Sequence, residues 1–294
     1  MNTPLAVPIR SAFATEMRDM SAEVFTTFAG IVAAISVVAI NVGLERWLDL
    51  DLLGLTFWFV LPGGALFGGF GAASGYYAAA RATQTLPSRR MLFEMLAIGF
   101  STWLLMHWVE YATISLTDGS MVRDQVPFWY YLRLRTEHMQ LMIQNQGGQT
   151  IDKTGELGML GYAHELLQIV GFLVGGFIMW LALKSREACT PCSRYARTTR
   201  LLQRAPSAVF DDVLGRAGIM IPDFGERVAA ALGKRRLVGL NLSIATCPSC
   251  ERSWIRPGVV GMDGAHPVAK ATDAYDLTPT QTAQLYSLTQ RERR

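Results

Sequence analysis

The chain has 294 residues, of which 50% are hydrophobic and 17% are charged, and its formal net charge is +3. Average proteins carry about 25% charged residues, so the shortfall argues against a wholly soluble protein and for a membrane protein. The net charge is too small to indicate nucleic acid, which is not an expected partner.

The hydrophobic residues are concentrated before Lys184, and the remainder is rich in Arg. The sequence therefore predicts a mainly α fold, in which a four-helix transmembrane bundle precedes a small α+β cytoplasmic domain. A helix of about 20 residues crosses the apolar core of a bilayer. The predicted spans are 24–44, about 55–80, 91–116 and 159–183. The remaining segments are an amphipathic stretch (1–23), an outer loop (117–158), a domain resembling a zinc ribbon (184–263), and a linker with a C-terminal helix (264–294).

The second span carries glycines at a spacing that permits close helix packing. Gly64 and Gly68, and then Gly71 and Gly75, are each four residues apart. Glycine lets two helix backbones approach closely in lipid. This spacing predicts packing within one bundle, and the alternative is a homo-oligomeric or pore-lining face.

Basic residues predict the orientation of the spans. The loop 81–90 has three arginines and no acidic residue, and 184–204 has six Lys or Arg against Glu187. Under the positive-inside rule both segments are cytoplasmic, as are both termini of a multi-pass cell-membrane protein of the bacterial inner-membrane kind. In the outer loop, the stretch 127–144 begins with Pro127 and is rich in aromatic residues, which predicts a helix lying in the interface.

Two Cys-x-x-Cys pairs follow the last span. Their members are Cys189, Cys192, Cys247 and Cys250. Four thiolates on two tight turns are a typical ligand set for Zn²⁺. With strand-like sequence beside both pairs, this part of the chain resembles the zinc-ribbon class, and the resemblance implies one structural zinc ion. The long gap between the pairs predicts a helical insertion at about 206–233. The alternative is a redox-active pair, because Cys-Pro-x-Cys also occurs in thiol oxidoreductases.

Other patterns place further elements in the soluble part. Alternating apolar residues from Val238 to Ile244 predict a strand, which the stretch 252–260 follows as a hairpin partner. Residues 261–276 have the composition of a linker. Thr278 and Gln281 form a predicted capping box that begins the final helix.

Ionisable residues also lie inside the predicted spans. His107 and Glu110 belong to the third span, and His164 and Glu165 to the fourth. Because charges in hydrocarbon are costly, such residues are candidates for an intramembrane site that binds a metal or haem or relays protons. The alternative is a hydrated cluster at the interface. Glu94, four residues after Arg90, is expected to pair with it.

No catalytic motif stands out, so we do not expect an enzyme. The first hypothesis is an interaction, scaffold or regulatory protein that presents its zinc-stabilised domain to an unknown cytoplasmic protein partner or to acidic lipid. The second is a small oligomeric channel or transporter, favoured by the glycine-rich spans. The third is a metal- or haem-dependent redox enzyme with its site between the third and fourth spans.

Overall fold

The structure is a computed structural model. It describes residues 9–48, 50, 52–53, 62–117, 119–138, 142–144, 150–153, 155, 158–233, 235–263 and 266–291. The chain divides into two compact units, Met1–Ser185 and Arg186–Arg294. The first unit is helical, and the second contains most of the antiparallel sheet structure.

Four long helices form the first unit. They are α1 (Ile9–Leu48), α2 (Gly63–Thr83), α3 (Arg89–Thr113) and, after the segment that follows α3, a helix over Met159–Lys184. Among the described residues, three helical segments are long and apolar enough to cross a membrane: Ser21–Leu48, Arg89–Thr113 and Met159–Lys184. The chain is therefore a membrane protein. The helix α2 is not among these three segments.

The predicted boundaries differ from the observed ones at several places. The amphipathic stretch 1–23 was expected to be separate, but from Ile9 onward it continues into α1 without a break. The beginning of the predicted second span, 55–61, lies outside the described residues. The predicted third span extends to residue 116. The helix α3 instead ends at Thr113, and the next residue, Ile114, adopts an extended conformation.

Shorter elements connect α3 to the last long helix. They are α4 (Val122–Gln125), α5 (Phe128–Glu137), β1 (Met142–Gln144), β2 (Thr150–Lys153) and α6 (Met159–Lys184). The helix expected over 127–144 is thus shorter than predicted. It ends at Glu137, and the chain then forms an antiparallel pair of strands, in which Met142 lies opposite Lys153. The apolar residues of 138–144 had been assigned to the helix.

The interior of the helical unit contains polar and small residues, whereas its outer surface is apolar. The buried positions of α6 include His164, Glu165, Gln168 and four glycines. Large apolar side chains such as Phe28, Phe93 and Leu166 are instead more than 60% exposed. This distribution is typical of helices that face lipid, because hydrocarbon accepts apolar side chains and excludes polar ones.

Glycines allow the long helices of this unit to make close contacts. A Cβ on Gly69 would lie 2.2 Å from the carbonyl oxygen of Phe172, and one on Gly75 would lie 2.1 Å from that of Ala29. Three of the four glycines at the predicted spacing, Gly68, Gly71 and Gly75, therefore contact other helices of the same chain.

The second unit is built on an antiparallel sheet. Its strands are β3 (Ala188–Cys189), β4 (Arg194–Tyr195), β5 (Arg197–Ala205), β6 (Arg236–Thr246), β7 (Ser253–Asp263), β8 (His266–Ala271) and β9 (Tyr275–Leu277), and its helices are α7 (Ser207–Arg216), α8 (Phe224–Leu232) and α9 (Pro279–Arg291). Strands β5 to β8 lie side by side in sequence order, and β9 pairs with β7. The short strands β3 and β4 form a separate hairpin.

One face of this sheet forms the hydrophobic core. Leu240, Leu242 and Ile244 of β6 are at most 2% exposed and pack against the buried residues of α7 and against Leu285 of α9. The alternation that predicted the strand thus corresponds to a core-facing side. Thr278 and Gln281 bond reciprocally at the start of α9, as the predicted capping box requires.

The described part of the linker expected over 261–276 forms strands instead. β8 pairs along β7, with Val260 opposite Ala269, and β9 adds a further short strand. Pro267 and the short apolar pattern of this segment do not predict a strand. Much of the stability of β8 comes instead from its pairing with β7. Pro206 and Asp223 precede α7 and α8, and neither makes a capping side-chain hydrogen bond.

Candidate functional site

The four cysteines lie together at one end of the C-terminal sheet. The sulfur atoms of Cys189, Cys192, Cys247 and Cys250 are all within 4.8 Å of one another, and Cys189 Sγ is 3.7 Å from Cys250 Sγ. Zn–S bonds of about 2.3 Å in a tetrahedron place two sulfurs about 3.8 Å apart. The set therefore has the chemistry and spacing to bind a metal ion such as zinc.

Each cysteine pair sits on a turn of the same construction. Cys189 ends β3 and Cys247 follows β6, and the residue after each pair, Ser193 or Glu251, has a positive φ of 49° or 57°. In the second turn, the Glu251 amide donates to the Cys247 carbonyl at 3.0 Å. A left-handed residue bends the chain back sharply, so that both sulfurs of a pair point to one place.

The electrostatics of the two turns favour a thiolate at Cys247. Burial opposes ionisation of this thiol, but the backbone N–H groups of Cys250 and Ser249 donate to its sulfur and lower its pKa to about 7. A hydrogen bond with Cys250 raises the pKa of Cys192 to about 12. Zinc requires thiolates and displaces these protons on binding. If zinc binds, four protein ligands complete a tetrahedron, which leaves no position for a reacting water.

The redox alternative needs the two pairs to act separately. The structure instead brings both pairs into a single cluster. Trp254, which donates its Nε1–H to Glu187 at 3.0 Å, packs beside it. The geometry therefore favours a shared ion over an isolated Cys-Pro-x-Cys redox pair.

A second cluster lies between the helices of the first unit, and it contains three of the four predicted residues. His107 Nδ1 is 3.5 Å from Glu110 Oε2, and His107 Nε2 is 3.4 Å from Glu165 Oε2. The fourth predicted residue, His164, contacts a different partner, because its Nδ1 lies 3.4 Å from Gln168 Nε2. His107 is fully buried.

Arg135 closes this cluster into a ring. Its Nε donates to Glu110 Oε1 at 3.1 Å, and its Nη1 donates to Glu165 Oε1 at 2.9 Å. Each carboxylate thus contacts the guanidinium through one oxygen and the imidazole through the other. We define these four residues, His107, Glu110, Arg135 and Glu165, as the ion-pair ring. Arg135 was not among the predicted site residues, because it lies in α5 outside the predicted spans.

The ring places a carboxylate oxygen opposite each nitrogen of the His107 imidazole. A neutral imidazole has one N–H group, so its other nitrogen would direct a lone pair at a carboxylate oxygen. With both nitrogens protonated, each faces an acceptor, and two positive groups balance two carboxylates. Such neutrality reduces the high cost of charges at a buried position.

This arrangement is less suited to a metal or haem. Arg135 already contacts the carboxylate oxygens that a cation would bind, and both imidazole nitrogens face carboxylates. Across the described ranges, the cysteine set is the one group of three or more Cys, His, Asp or Glu whose ligand atoms lie within 4.8 Å of one another. Glu94, the other acidic residue of α3, accepts from Arg90 Nε at 2.8 Å, as expected.

Comparison with known proteins adds no relative to these observations. No protein-family model matches the chain, and neither a curated protein nor a solved structure matches it. A function for the chain is therefore inferred from the geometry of the two clusters and of the surfaces around them.

Proposed function

We propose that this chain is an integral membrane protein that displays a zinc-stabilised cytoplasmic domain for binding a partner protein, in a scaffold or regulatory role. The observation that carries the proposal is the cluster of four sulfurs within 4.8 Å of one another. A zinc ion bound by four thiolates holds a small domain together and has no open coordination position for a reacting water or substrate. The domain is then a rigid surface for binding.

The proposed topology has four crossings, with α2 as the second. This helix has 21 residues, about 31 Å at 1.5 Å per residue, which matches a bilayer core of about 30 Å. Close contacts of Gly69 and Gly75 with other helices support its place in the bundle. With four crossings, the positive-inside rule puts both termini in the cytoplasm. Single labelling sites introduced at 50, 87 and 117, with the four cysteines left in place, test this topology: sites 50 and 117 label from outside and site 87 does not.

The channel alternative is less well supported. Glycines at small-residue spacing are available for oligomer contacts only if they are not used within the chain. Gly68, Gly71 and Gly75 would each place a Cβ less than 3.0 Å from an atom of another helix of the same chain. The spacing of these glycines is therefore explained by packing within one bundle. The redox alternative is also less well supported, because Arg135 of the ion-pair ring already contacts the carboxylate oxygens that a metal would bind.

Capture of the partner tests the proposed role. Full-length tagged protein is expressed in native membranes, crosslinked and purified, beside Cys247→Ser, which removes one thiolate, and Ser249→Ala, which alters the same turn without removing a sulfur. We expect one protein to copurify with the wild type and Ser249→Ala and to be lost from Cys247→Ser. Absence of any such protein, or equal capture by all three forms, contradicts the proposal.

A further inference from the structure

Strands β5, β6 and β7 carry a row of polar side chains on the face of the sheet away from the hydrophobic core. Arg200 lies opposite Ser243, and Ser243 lies opposite Arg256. Neighbouring strands are about 4.8 Å apart, so the backbones of the two arginines are about 10 Å apart across the sheet. Two guanidinium groups thus flank a hydroxyl on one face.

A bulge in β5 adds a further donor to this face. Arg204 has a positive φ of 49°, and its backbone N–H donates to Asn241 Oδ1 at 2.8 Å. This bond orients the Asn241 carboxamide so that its NH₂ group remains a donor. A Cβ on Gly239 would lie 2.6 Å from the carbonyl carbon of Arg204, so the bulge requires glycine opposite it. A strained non-glycine residue held in this way is a reason to look for function.

A groove of about 600 Å³ is lined by the residues just described on this face, Arg200, Arg204, Asn241, Ser243 and Arg256. Its charged lining residues are Glu187, Arg200, Arg204, Arg256 and Lys270. The one carboxylate is already engaged, because Glu187 Oε1 is 3.0 Å from Arg256 Nη1 and its Oε2 accepts from Trp254. The groove therefore has an excess of positive charge and several donors, which is complementary to an anion with many acceptor oxygens.

The neighbouring sequence indicates where such an anion is found. Lys184 is the last residue of the candidate span α6, and Glu187 is only three residues further along the chain. Phospholipid headgroups are the phosphate compounds that a chain leaving a membrane span meets first. Anionic lipids attract Lys and Arg beside the membrane on the cytoplasmic face.

We propose that this groove binds phosphate groups and that its ligand is the headgroup of an anionic phospholipid. The inference rests on the proposed function, whose binding domain it supplies with a ligand class. Arg200 and Arg256 hold the phosphate oxygens, and Asn241 provides a neutral polar contact beside them. The planar fork of arginine matches phosphate geometry, which distinguishes this site from a general basic surface.

Lipid titration of the full-length protein tests the proposal. Purified protein in a non-ionic detergent is titrated with dioctanoyl phosphatidic acid or dioctanoyl phosphatidylcholine, and bound lipid is counted by native mass spectrometry. We expect Arg200→Gln and Arg256→Gln each to weaken phosphatidic acid binding about tenfold, because each removes a charged hydrogen bond. The control, Arg216→Gln, removes an exposed arginine of α7 that pairs with Asp212, and its affinity stays at the wild-type value.

Further measurements test whether each variant is folded and whether the bound phosphate belongs to a lipid. Zinc content and unfolding temperature show whether each variant is folded. Because Arg256 pairs with Glu187, its replacement could disturb the fold, and Arg200→Gln then decides the result. Wild-type affinity in Arg200→Gln overturns the site. Inorganic phosphate binding as tightly as phosphatidic acid overturns the lipid assignment. Unchanged lipid binding together with retained capture of a protein partner overturns this inference alone and leaves the proposed function standing.

Discussion

Arg135 Nη1 lies 2.9 Å from Glu165 Oε1, so that a residue of the short helix α5 neutralises a carboxylate inside the candidate span α6. The same guanidinium contacts Glu110 of α3 at 3.1 Å. One side chain therefore connects three helices through charge. Its removal would leave two carboxylates at positions where water is largely excluded.

We expect Arg135→Gln to lower the free energy of unfolding of the helical unit by about 3 kcal/mol, because breaking a buried ion pair leaves an uncompensated charge. The measurement is unfolding in mixed micelles followed by tryptophan fluorescence. Arg133→Gln is the matched control: Arg133 lies two residues before Arg135 on the same helix and pairs with Glu137, but its side chain is 67% exposed. Exposed pairs contribute little, so the control should lose at most about 0.5 kcal/mol.

A triple variant separates charge from packing in the ring. Arg135→Met with Glu110→Gln and Glu165→Gln removes the guanidinium and both carboxylates together, and we expect most of the lost stability to return. If the triple variant is no more stable than Arg135→Gln, the ring is not the cause of the destabilisation.

Removal of zinc should affect the two units differently. We expect one zinc per chain in the wild type and none in Cys247→Ser, with loss of ordered structure confined to the second unit. Amide hydrogen exchange followed by mass spectrometry measures this: protection falls in β5 to β7 and persists in α3 and α6. Chelation by EDTA at neutral pH should reproduce the pattern. Full protection of β6 without zinc would show that the ion does not stabilise the fold.

The sequence predicted the cysteine cluster because the signal is local. A Cys-x-x-Cys turn brings two sulfurs together by itself, and two such turns beside strands leave few arrangements other than a shared ion. The apolar spans were predictable for a similar reason, since length and composition decide membrane insertion. The positions of α3 and α6 accordingly agree with expectation to within a few residues.

The ion-pair ring could be predicted only in part. His107, Glu110 and Glu165 were identifiable because ionisable residues in spans are rare. Arg135 was not, because it reaches them over 25 and 30 residues of sequence from a helix of ordinary amphipathic appearance. Strand β8 was missed for the same physical reason: its pairing with β7 is a tertiary contact, and Pro267 in its sequence argues locally against a strand.

The turn after the second cysteine pair should tolerate glycine with a gain in stability. Glu251 has a φ of 57°, which costs an L-residue with a side chain about 1 kcal/mol. We expect Glu251→Gly to raise the free energy of unfolding of the second unit by about 0.5 kcal/mol, after the extra chain entropy of glycine is subtracted. Glu251→Ala is the control, since it removes the same side chain but keeps the strain. Equal stability of the two variants would show that the backbone conformation is not the cause.

The contact between α2 and α6 depends on the absence of a side chain at Gly175. A Cβ there would lie 2.4 Å from the Phe70 amide nitrogen and 2.5 Å from the Leu66 carbonyl oxygen. Both are backbone atoms, so relief requires the two helices to separate. We expect Gly175→Ala to lower the free energy of unfolding by about 2 kcal/mol, the usual range for overpacking.

Gly43→Ala is the matched control for Gly175→Ala, because both changes add one methyl group to a helix. At Gly43 the nearest atoms are in the Trp47 side chain at 3.6 Å, which is an ordinary contact. Alanine is the better helix former by about 1 kcal/mol, so this variant should be neutral or slightly more stable. Unfolding in mixed micelles compares the two. Similar effects at both positions would mean that α2 and α6 are not in close contact, and the proposed crossing by α2 would lose one of its supports.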